Sequence, residues 1–166
     1  MSIRIVMMSF LVVGLLLLGS CGGSGVRVGE VEHKDAVIEQ IVSALKDSDK
    51  EALTSLFSTK ALEEADSFEN DVDYLFGLIQ SEIDSWGKRD ASSSGGSIEY
   101  GKKSIMLRYS FDLIKNSETY LFYIIDYYPD TIDPDNEGVY MLECRLPGSP
   151  NTGSWQERMR AGIYIH

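Results

Sequence analysis

Apolar residues recur every three to four positions between residues 33 and 80, which is the spacing of helices that bury one face. Val37, Ile41 and Leu45 follow this period, so the pattern predicts a first helix from His33 to Lys46. Ser48 with Glu51 fits a capping box and predicts the start of a second, short helix. The same period predicts a third helix, from about Ala61 to Gln80.

The apolar period changes from 3.6 to 2 after Ser81, and this change predicts strands in the second half of the chain. A short strand is expected at residues 83–87, followed by a flexible loop over Ala91–Ser97, whose sequence is ASSSGGS. Alternation between residues 104 and 113 predicts a strand with one buried and one wet face.

Both faces of the next strand, Thr119–Tyr128, are apolar or aromatic, which predicts a central position in the sheet. Val139–Leu146 predicts a further strand that carries Cys144 on its apolar face, and Ala161–Ile165 predicts a short closing strand. Helices followed by strands that short turns connect predict an α+β domain, with helices packed on one face of an antiparallel sheet.

A different pattern occupies the first 21 residues. Arg4 precedes the apolar run Ile5–Leu18, which is shorter than the ~20 residues that a transmembrane helix needs. Leu18-Gly19-Ser20-Cys21 resembles a bacterial lipobox, in which the cysteine receives a diacylglycerol and becomes the first mature residue. We therefore expect a lipoprotein signal peptide over residues 1–20 and a lipid anchor at Cys21. A retained membrane helix is the alternative.

Composition limits the partners of the remaining chain. Residues 21–32 are rich in glycine and predict a flexible tether, so that residues 33–166 form a single domain. Without residues 1–20, whose one charged side chain is Arg4, the chain would keep 146 residues and a formal charge of −12. Such acidity disfavours nucleic acid and anionic lipid headgroups, because both would repel the domain. It favours cations, basic proteins or neutral ligands, so we expect a small apolar ligand or a surface protein as partner.

Few side chains are available for metal or nucleophilic chemistry. His33 and His166 are the only histidines and lie near the two ends of the mature chain, which argues against a histidine zinc site or a Ser-His-Asp triad. Asp133, Asp135 and Glu137 match the start of a calcium loop, but Cys144 occupies the position of its final glutamate. We therefore expect no bound metal and no cofactor.

Several segments, in the same order along the chain, resemble a group of Gram-positive lipoproteins, the uncharacterised domain family 5104. They are the lipobox and glycine-rich tether, Lys46–Leu62 with its Leu-Phe-Ser and Ala-Leu, Asp73–Phe76, Ser97–Lys102 and Ala161–Ile165. The resemblance implies an NTF2-like (cystatin-like) architecture, in which a helix packs in a curved antiparallel sheet that forms a cone. It implies an extracytoplasmic, membrane-anchored location, and fold alone does not imply an activity.

Asp126 is the one candidate for catalysis, because it lies among apolar residues on a strand where desolvation could make it a general acid or base. Its structural alternative is a carboxylate tied to Arg108, Arg145 or a tyrosine. A ligand pocket could be lined by aromatic residues on several elements. These are Tyr74, Trp86, Tyr100, Tyr128, Tyr140 and Trp155.

These features favour a non-enzymatic binding or accessory module on the outer face of the cell membrane. The alternative hypothesis is a small isomerase, dehydratase or hydrolase that uses Asp126 in an aromatic-lined pocket. The two hypotheses differ in one geometric requirement, because an enzyme needs a second polar group within hydrogen-bond reach of Asp126.

Overall fold

The computed structural model describes residues 28–79, 83–148 and 160–163 of the chain. Within these ranges, four α-helices come first and are followed by an open antiparallel sheet. This order confirms the α+β class that the change of apolar period predicts.

The first helix, α1, extends over Val28–Asp47 and buries one face in the hydrophobic core. It begins five residues before the predicted start at His33, so residues 28–32 are helical although they were expected in the tether. Glu30 lies in the first turn, where a negative charge interacts favourably with the helix dipole. The buried stripe consists of Val37, Ile38, Ile41, Val42, Ala44 and Leu45.

The second helix, α2, extends over Lys50–Thr54, and its N-cap is Asp49. The Asp49 carboxylate accepts a hydrogen bond from the Ala52 N–H at 2.9 Å. Ser48 instead adopts a positive φ of 56°, so the predicted Ser48–Glu51 capping box is wrong. Either residue is a good cap by type, and the backbone conformation at Ser48 decides between them.

The predicted third helix is divided into two, α3 over Thr59–Glu64 and α4 over Phe68–Leu78. Ser58 caps α3 by accepting a hydrogen bond from the Ala61 N–H at 3.1 Å. Ala65 is extended and ends that helix, and Ser67 precedes α4. Serine favours helix starts over helix interiors, which explains why one apolar period covers two helices.

The sheet contains six strands within the described residues, and all their pairings are antiparallel. Strands β1 and β2 pair with different parts of the same edge of β3, and β4, β5 and β6 follow in order. The sheet is therefore five strands wide. The strands are β1 Ser85–Lys88, β2 Ser93–Glu99, β3 Lys102–Lys115, β4 Glu118–Asp130, β5 Gly138–Arg145 and β6 Arg160–Ile163.

One face of this sheet forms the core together with the buried helix residues. Phe111 lies opposite Phe122, their rings stack with centroids 4.8 Å apart, and both are fully buried. Truncating either ring to alanine typically costs ~3–5 kcal/mol. Cys144 lies opposite Phe122 on β5 and is fully buried, which confirms the prediction that it faces the core. The position of β4 between β3 and β5 also confirms its predicted central place.

Strand β2 replaces most of the loop that was predicted over Ala91–Ser97. All seven of its residues are exposed, so no apolar alternation marks it in the sequence. Gly96 approaches the backbone of β3 so closely that a Cβ would lie 2.2 Å from the Ser104 carbonyl oxygen. The glycine content that suggested a loop therefore serves close pairing of two strands.

A short bridge connects the helices to β5. Ser58 N–H donates to the Val139 carbonyl at 3.0 Å, and Val139 N–H donates to the Leu56 carbonyl at 2.9 Å. Gly138 precedes this bridge with a φ of 124°, and a Cβ there would lie 3.1 Å from the Leu56 carbonyl oxygen. Glycine is thus required at this junction. Among the helices of the described ranges, none has the length and apolar character to cross a membrane.

Candidate functional site

Asp126 occupies the helix-facing side of β4, opposite Leu107 on β3 and Val139 on β5. The β4–β5 register shifts between Ile125 and Asp126, which is the mark of a bulge. Asp126 is 0% exposed, so its carboxylate lies inside the molecule. The sequence alone left open whether this strand enters solvent at Asp126, and the structure shows that it does not.

Two polar groups meet one oxygen of this carboxylate. His33 Nε2 lies 2.7 Å from Asp126 Oδ2, and the Tyr109 hydroxyl donates to the same oxygen at 3.0 Å. The other oxygen, Oδ1, is buried and has no hydrogen-bond partner among the described residues. The imidazole of His33 also stacks on the Tyr128 ring, with centroids 3.7 Å apart and an angle of 3° between the planes. We call His33, Tyr109 and Asp126 the Asp126 cluster.

The Asp126 cluster has the composition of a proton-transfer site. Burial and the neighbouring carboxylate both raise the pKa of Tyr109, so its hydroxyl stays protonated and donates. His33 shares a hydrogen bond of 2.7 Å with Asp126, and its side chain is 20% exposed. Because Asp126 itself is enclosed, the imidazole edge is the part of the pair that solvent reaches.

Sequence reasoning discounted His33 because the two histidines lie near the ends of the chain. The structure brings His33 to Asp126 across 93 residues of sequence. The sequence did contain a usable signal, because His33 is the first residue of the predicted helix. A polar side chain at the start of a helix that packs on an apolar strand can reach a carboxylate buried on that strand. The proposed ties to Arg108 or Arg145 are not what holds Asp126. An unspecified tyrosine was also expected as a partner of Asp126, and the contact from Tyr109 confirms that expectation.

Asp130, four residues further along β4, is a second buried carboxylate, 2% exposed. Its Oδ1 accepts from the N–H groups of Ile132 and Asp133, and its Oδ2 accepts from Ser104 and Asn136. Burial acts to raise the pKa of Asp130, but these four hydrogen bonds outweigh burial and lower the pKa below 3.8.

The loop after Asp130 contains the residues with calcium-like spacing. It is a turn with a short 3₁₀ helix at Pro134–Asn136. Asp133 forms an ion pair with Lys60 at 3.2 Å, whereas Glu137 accepts from the Asp130 N–H at 2.9 Å. Both carboxylates therefore have protein partners. Among the described residues, no three acidic, histidine or cysteine side chains gather as a metal site would require.

A groove with a volume of about 490 Å³ opens between α2 and α4, on elements other than those of the Asp126 cluster. Its apolar part comes from Phe68, half-buried, and Val72, which belongs to the core. Three carboxylates and one ammonium lie at its margin, and Lys50 is paired with Asp73 across it. The full lining is Lys50, Glu51, Thr54, Ser55, Phe68, Glu69, Val72 and Asp73. We call it the α2–α4 groove.

A family model described as "Domain of unknown function (DUF5104)" matches residues 40–146, which is more than half of the chain. The chain belongs to the DUF5104 family. The matched range extends from α1 to the end of β5 and includes Asp126, Asp130 and the α2–α4 groove, whereas His33 precedes it. No curated protein matched the chain.

Five of the six aromatic residues considered as pocket-lining lie in the described part of this DUF5104 domain, and these five do not converge on one pocket there. Tyr74 and Tyr100 are exposed, Trp86 packs edge-on against Phe111, and Tyr128 stacks on His33. Tyr140 packs edge-on against Tyr127 and hydrogen-bonds with Glu64 of α3. Ligand binding by any of these residues stays a prediction. Trp155, like the lipidation candidate Cys21, lies outside the described residues.

Cys144 is a free cysteine, buried in the core. Burial is the main cause that raises the pKa of its thiol, to about 12, and the neighbouring Glu143 adds to the effect. A thiol with this pKa is protonated at neutral pH and is therefore a poor nucleophile. Cys144 acts as a small core residue in this domain.

Proposed function

We propose that this DUF5104 protein is a lipid-anchored extracytoplasmic binding module, attached to the membrane through Cys21. The lipobox-like Leu18–Cys21 and the short apolar run before it support the anchor. The proposal includes an NTF2-like architecture, which the order of helices and antiparallel strands supports.

The observation that carries the binding role is the α2–α4 groove. Its volume of about 490 Å³ lies in the range of ligand pockets, which hold ~300–1,000 Å³. Phe68 and Val72 provide an apolar surface, and hydrophobic contacts supply most of the affinity in such sites. The groove is already open in this structure, so a ligand can enter it without any unfolding of the core.

The charges at the margin define the chemistry of the ligand. Glu51, Glu69 and Asp73 are acidic, and the one cation, Lys50, is already paired with Asp73. The local net charge is therefore negative, as is that of the whole chain. An apolar group that carries a positive charge complements this surface better than a neutral or anionic one.

This proposal is tested by NMR titration with two aromatic probes of similar size, benzyltrimethylammonium and benzenesulfonate. We expect the cation to shift resonances of Glu51, Glu69 and Val72, and the anion to shift them much less. Thr54→Trp, which fills the groove, should abolish the shifts. Thr119→Trp, at an exposed position near the start of β4, is the matched control and should leave them unchanged.

Equal shifts with both probes, or shifts that map outside the groove, would contradict the assignment. Binding that survives Thr54→Trp would contradict it as well.

A second candidate function, proton-transfer catalysis, is favoured by one observation, the 2.7 Å contact between His33 and Asp126. In this role His33 would be the general base, Asp126 would orient its ring, and Tyr109 would hold the carboxylate. We place it second because Asp126 is 0% exposed, so a substrate would reach the pair only at the His33 edge.

The reactivity of His33 toward diethyl pyrocarbonate tests this second candidate. A catalytic base should react several-fold faster in the wild type than in Asp126→Asn, because in this role the carboxylate accepts from Nε2–H and leaves Nδ1 as the ring nitrogen with a free lone pair. Equal rates in the two proteins would remove the support for catalysis.

A further inference from the structure

The tip of the β2–β3 hairpin is the most exposed apolar feature among the described residues. Ile98 is 62% exposed and Tyr100 is 106% exposed, which means that the Tyr100 ring projects free of the domain. Lys102 and Lys103, exposed as well, begin the return strand. We call Ile98–Lys103 the hairpin tip.

Tyr100 is strained as well as exposed. It has a φ of 48° and is followed by Gly101 at 82°, so both residues lie in the left-handed region. Such a turn favours asparagine or aspartate before glycine, and a bulky aromatic residue there is a steric outlier. No contact with the domain compensates for the strain, since the ring is fully exposed. An aromatic residue kept at a cost to the isolated domain indicates a contact outside it.

The charge at the hairpin tip differs from that of the rest of the chain. Glu99 lies opposite Lys102 across the strands, and Ile98 lies opposite Lys103. Neither Lys102 nor Lys103 forms an ion pair with a described residue. The tip therefore has one net positive charge in a chain whose formal charge is −11.

The position of the tip relates it to the start of α1. His33 contacts Asp126, whose partner on β3 is Leu107, and seven residues separate Leu107 from Tyr100. At ~3.3 Å per residue this distance is about 23 Å. Cys21 precedes Val28 by seven residues, which span at most about 25 Å. The two lengths are similar, so this spacing allows one membrane to contact both Cys21 and the tip.

We propose that the hairpin tip docks on the anionic lipid surface of the membrane, as a second attachment beside the lipid anchor. This inference rests on the proposed lipidation of Cys21. Tyr100 and Ile98 insert at the level of the headgroups, where tyrosine is favoured, and Lys103 contacts lipid phosphates. The second attachment fixes the orientation of the domain, because a single lipid anchor leaves it free to rotate.

Spin-label accessibility tests the proposal on the full-length lipidated protein in vesicles of phosphatidylethanolamine and phosphatidylglycerol. One label is placed at Ser97→Cys beside the tip, and the matched control is placed at Thr119→Cys at the opposite end of the sheet, both exposed sites. Cys144 is fully buried and escapes labelling. Mass spectrometry of the same sample establishes whether Cys21 carries acyl chains.

We expect the label at Ser97 to become several-fold more accessible to oxygen than to a water-soluble nickel chelate, and the label at Thr119 to stay aqueous. Adding Ile98→Ser and Tyr100→Asn should return the Ser97 label to water while the protein stays on the vesicles.

Two aqueous labels on an acylated protein would overturn the docking proposal and leave the proposed function intact. Burial of the Ser97 label in native membranes but not in protein-free vesicles would overturn it in favour of a protein partner. A chain without acyl groups would refute the lipid anchor, and the docking proposal would fail with it.

Discussion

Two buried aspartates lie four residues apart on β4, and their surroundings differ. Asp130 accepts four hydrogen bonds, two on each oxygen, from backbone and side-chain donors of β3 and of the following loop. Asp126 receives its contacts on Oδ2 alone, from Tyr109 and His33.

The difference separates a carboxylate whose acceptor positions are filled by the surrounding structure from one that can still accept a hydrogen bond. Asp130 has its accepting capacity filled by donors that do not titrate near neutral pH, so it is fixed as an anion that shapes the loop. Within the described part of the chain, Asp126 keeps one oxygen without a donor, and one of its partners is a histidine that solvent reaches. Burial alone therefore does not distinguish the two aspartates, whereas the identity of their hydrogen-bond partners does.

Asp130→Ala should have the largest effect on stability. It leaves the buried donor of Asn136 and the part-buried donors of Ser104 and the loop backbone without an acceptor, so we expect a loss of ~3 kcal/mol in the free energy of unfolding. Urea denaturation measures this loss. Asp135→Ala, at an exposed position in the same loop, is the control and should change stability by less than ~0.5 kcal/mol. Similar losses in the two variants would erase the contrast between Asp130 and its neighbours.

Asp126→Asn should cost less, ~1–2 kcal/mol, because the amide keeps the size of the side chain and one accepting oxygen. The fold should persist, which circular dichroism and urea denaturation would measure. A loss as large as that of Asp130→Ala would show that Asp126 is also structural, and the comparison would fail.

Tyr109→Phe removes one of the two contacts to Asp126 Oδ2 and should cost ~1 kcal/mol. Tyr127→Phe serves as the control, because Tyr127 is half-buried on the other sheet face and packs against Tyr140 by its ring. Thermal unfolding of both variants gives the two values. A control that loses as much stability as Tyr109→Phe would show that the Asp126 contact contributes nothing specific.

The smallest effect is the pH dependence of Asp130. Its pKa is lowered in the folded state, so its contribution is fully present above its ordinary value of 3.8 and is lost as the pH falls through the lower folded-state value. The gap in unfolding free energy between the wild type and Asp130→Asn should therefore narrow on acidification. Urea denaturation of both proteins at a series of pH values measures this gap, and a constant gap would contradict the lowered pKa.

Local periodicity predicts much of the fold. The alternation of apolar residues predicts strand β3, and the two apolar faces of the next strand predict the central position of β4. The alternation in β5 predicts that Cys144 faces the core. Each of these features depends on residues a few positions apart. Strand β2 is not predicted by the apolar pattern because all its residues are exposed, so only its pairing with β3 defines it.

The candidate sites depend on distant parts of the chain and are less predictable. Asp126 stands out in the sequence as a charge between apolar residues, but its contact with His33 bridges 93 positions. The apolar period predicts a single helix where the structure has two, α3 and α4. The α2–α4 groove depends on this break. Neither arrangement has a local signature, since each results from packing of the whole domain.

The lipid anchor is the central claim, because the proposed location and the docking of the hairpin tip both depend on it. Intact-mass spectrometry of the protein extracted from membranes tests it most directly, with Cys21→Ser as the matched control. We predict a chain that begins at Cys21 and carries a diacylglycerol, and a Cys21→Ser variant that has no acyl chains. A wild-type chain with unmodified Cys21 and residues 1–20 still attached would contradict the account.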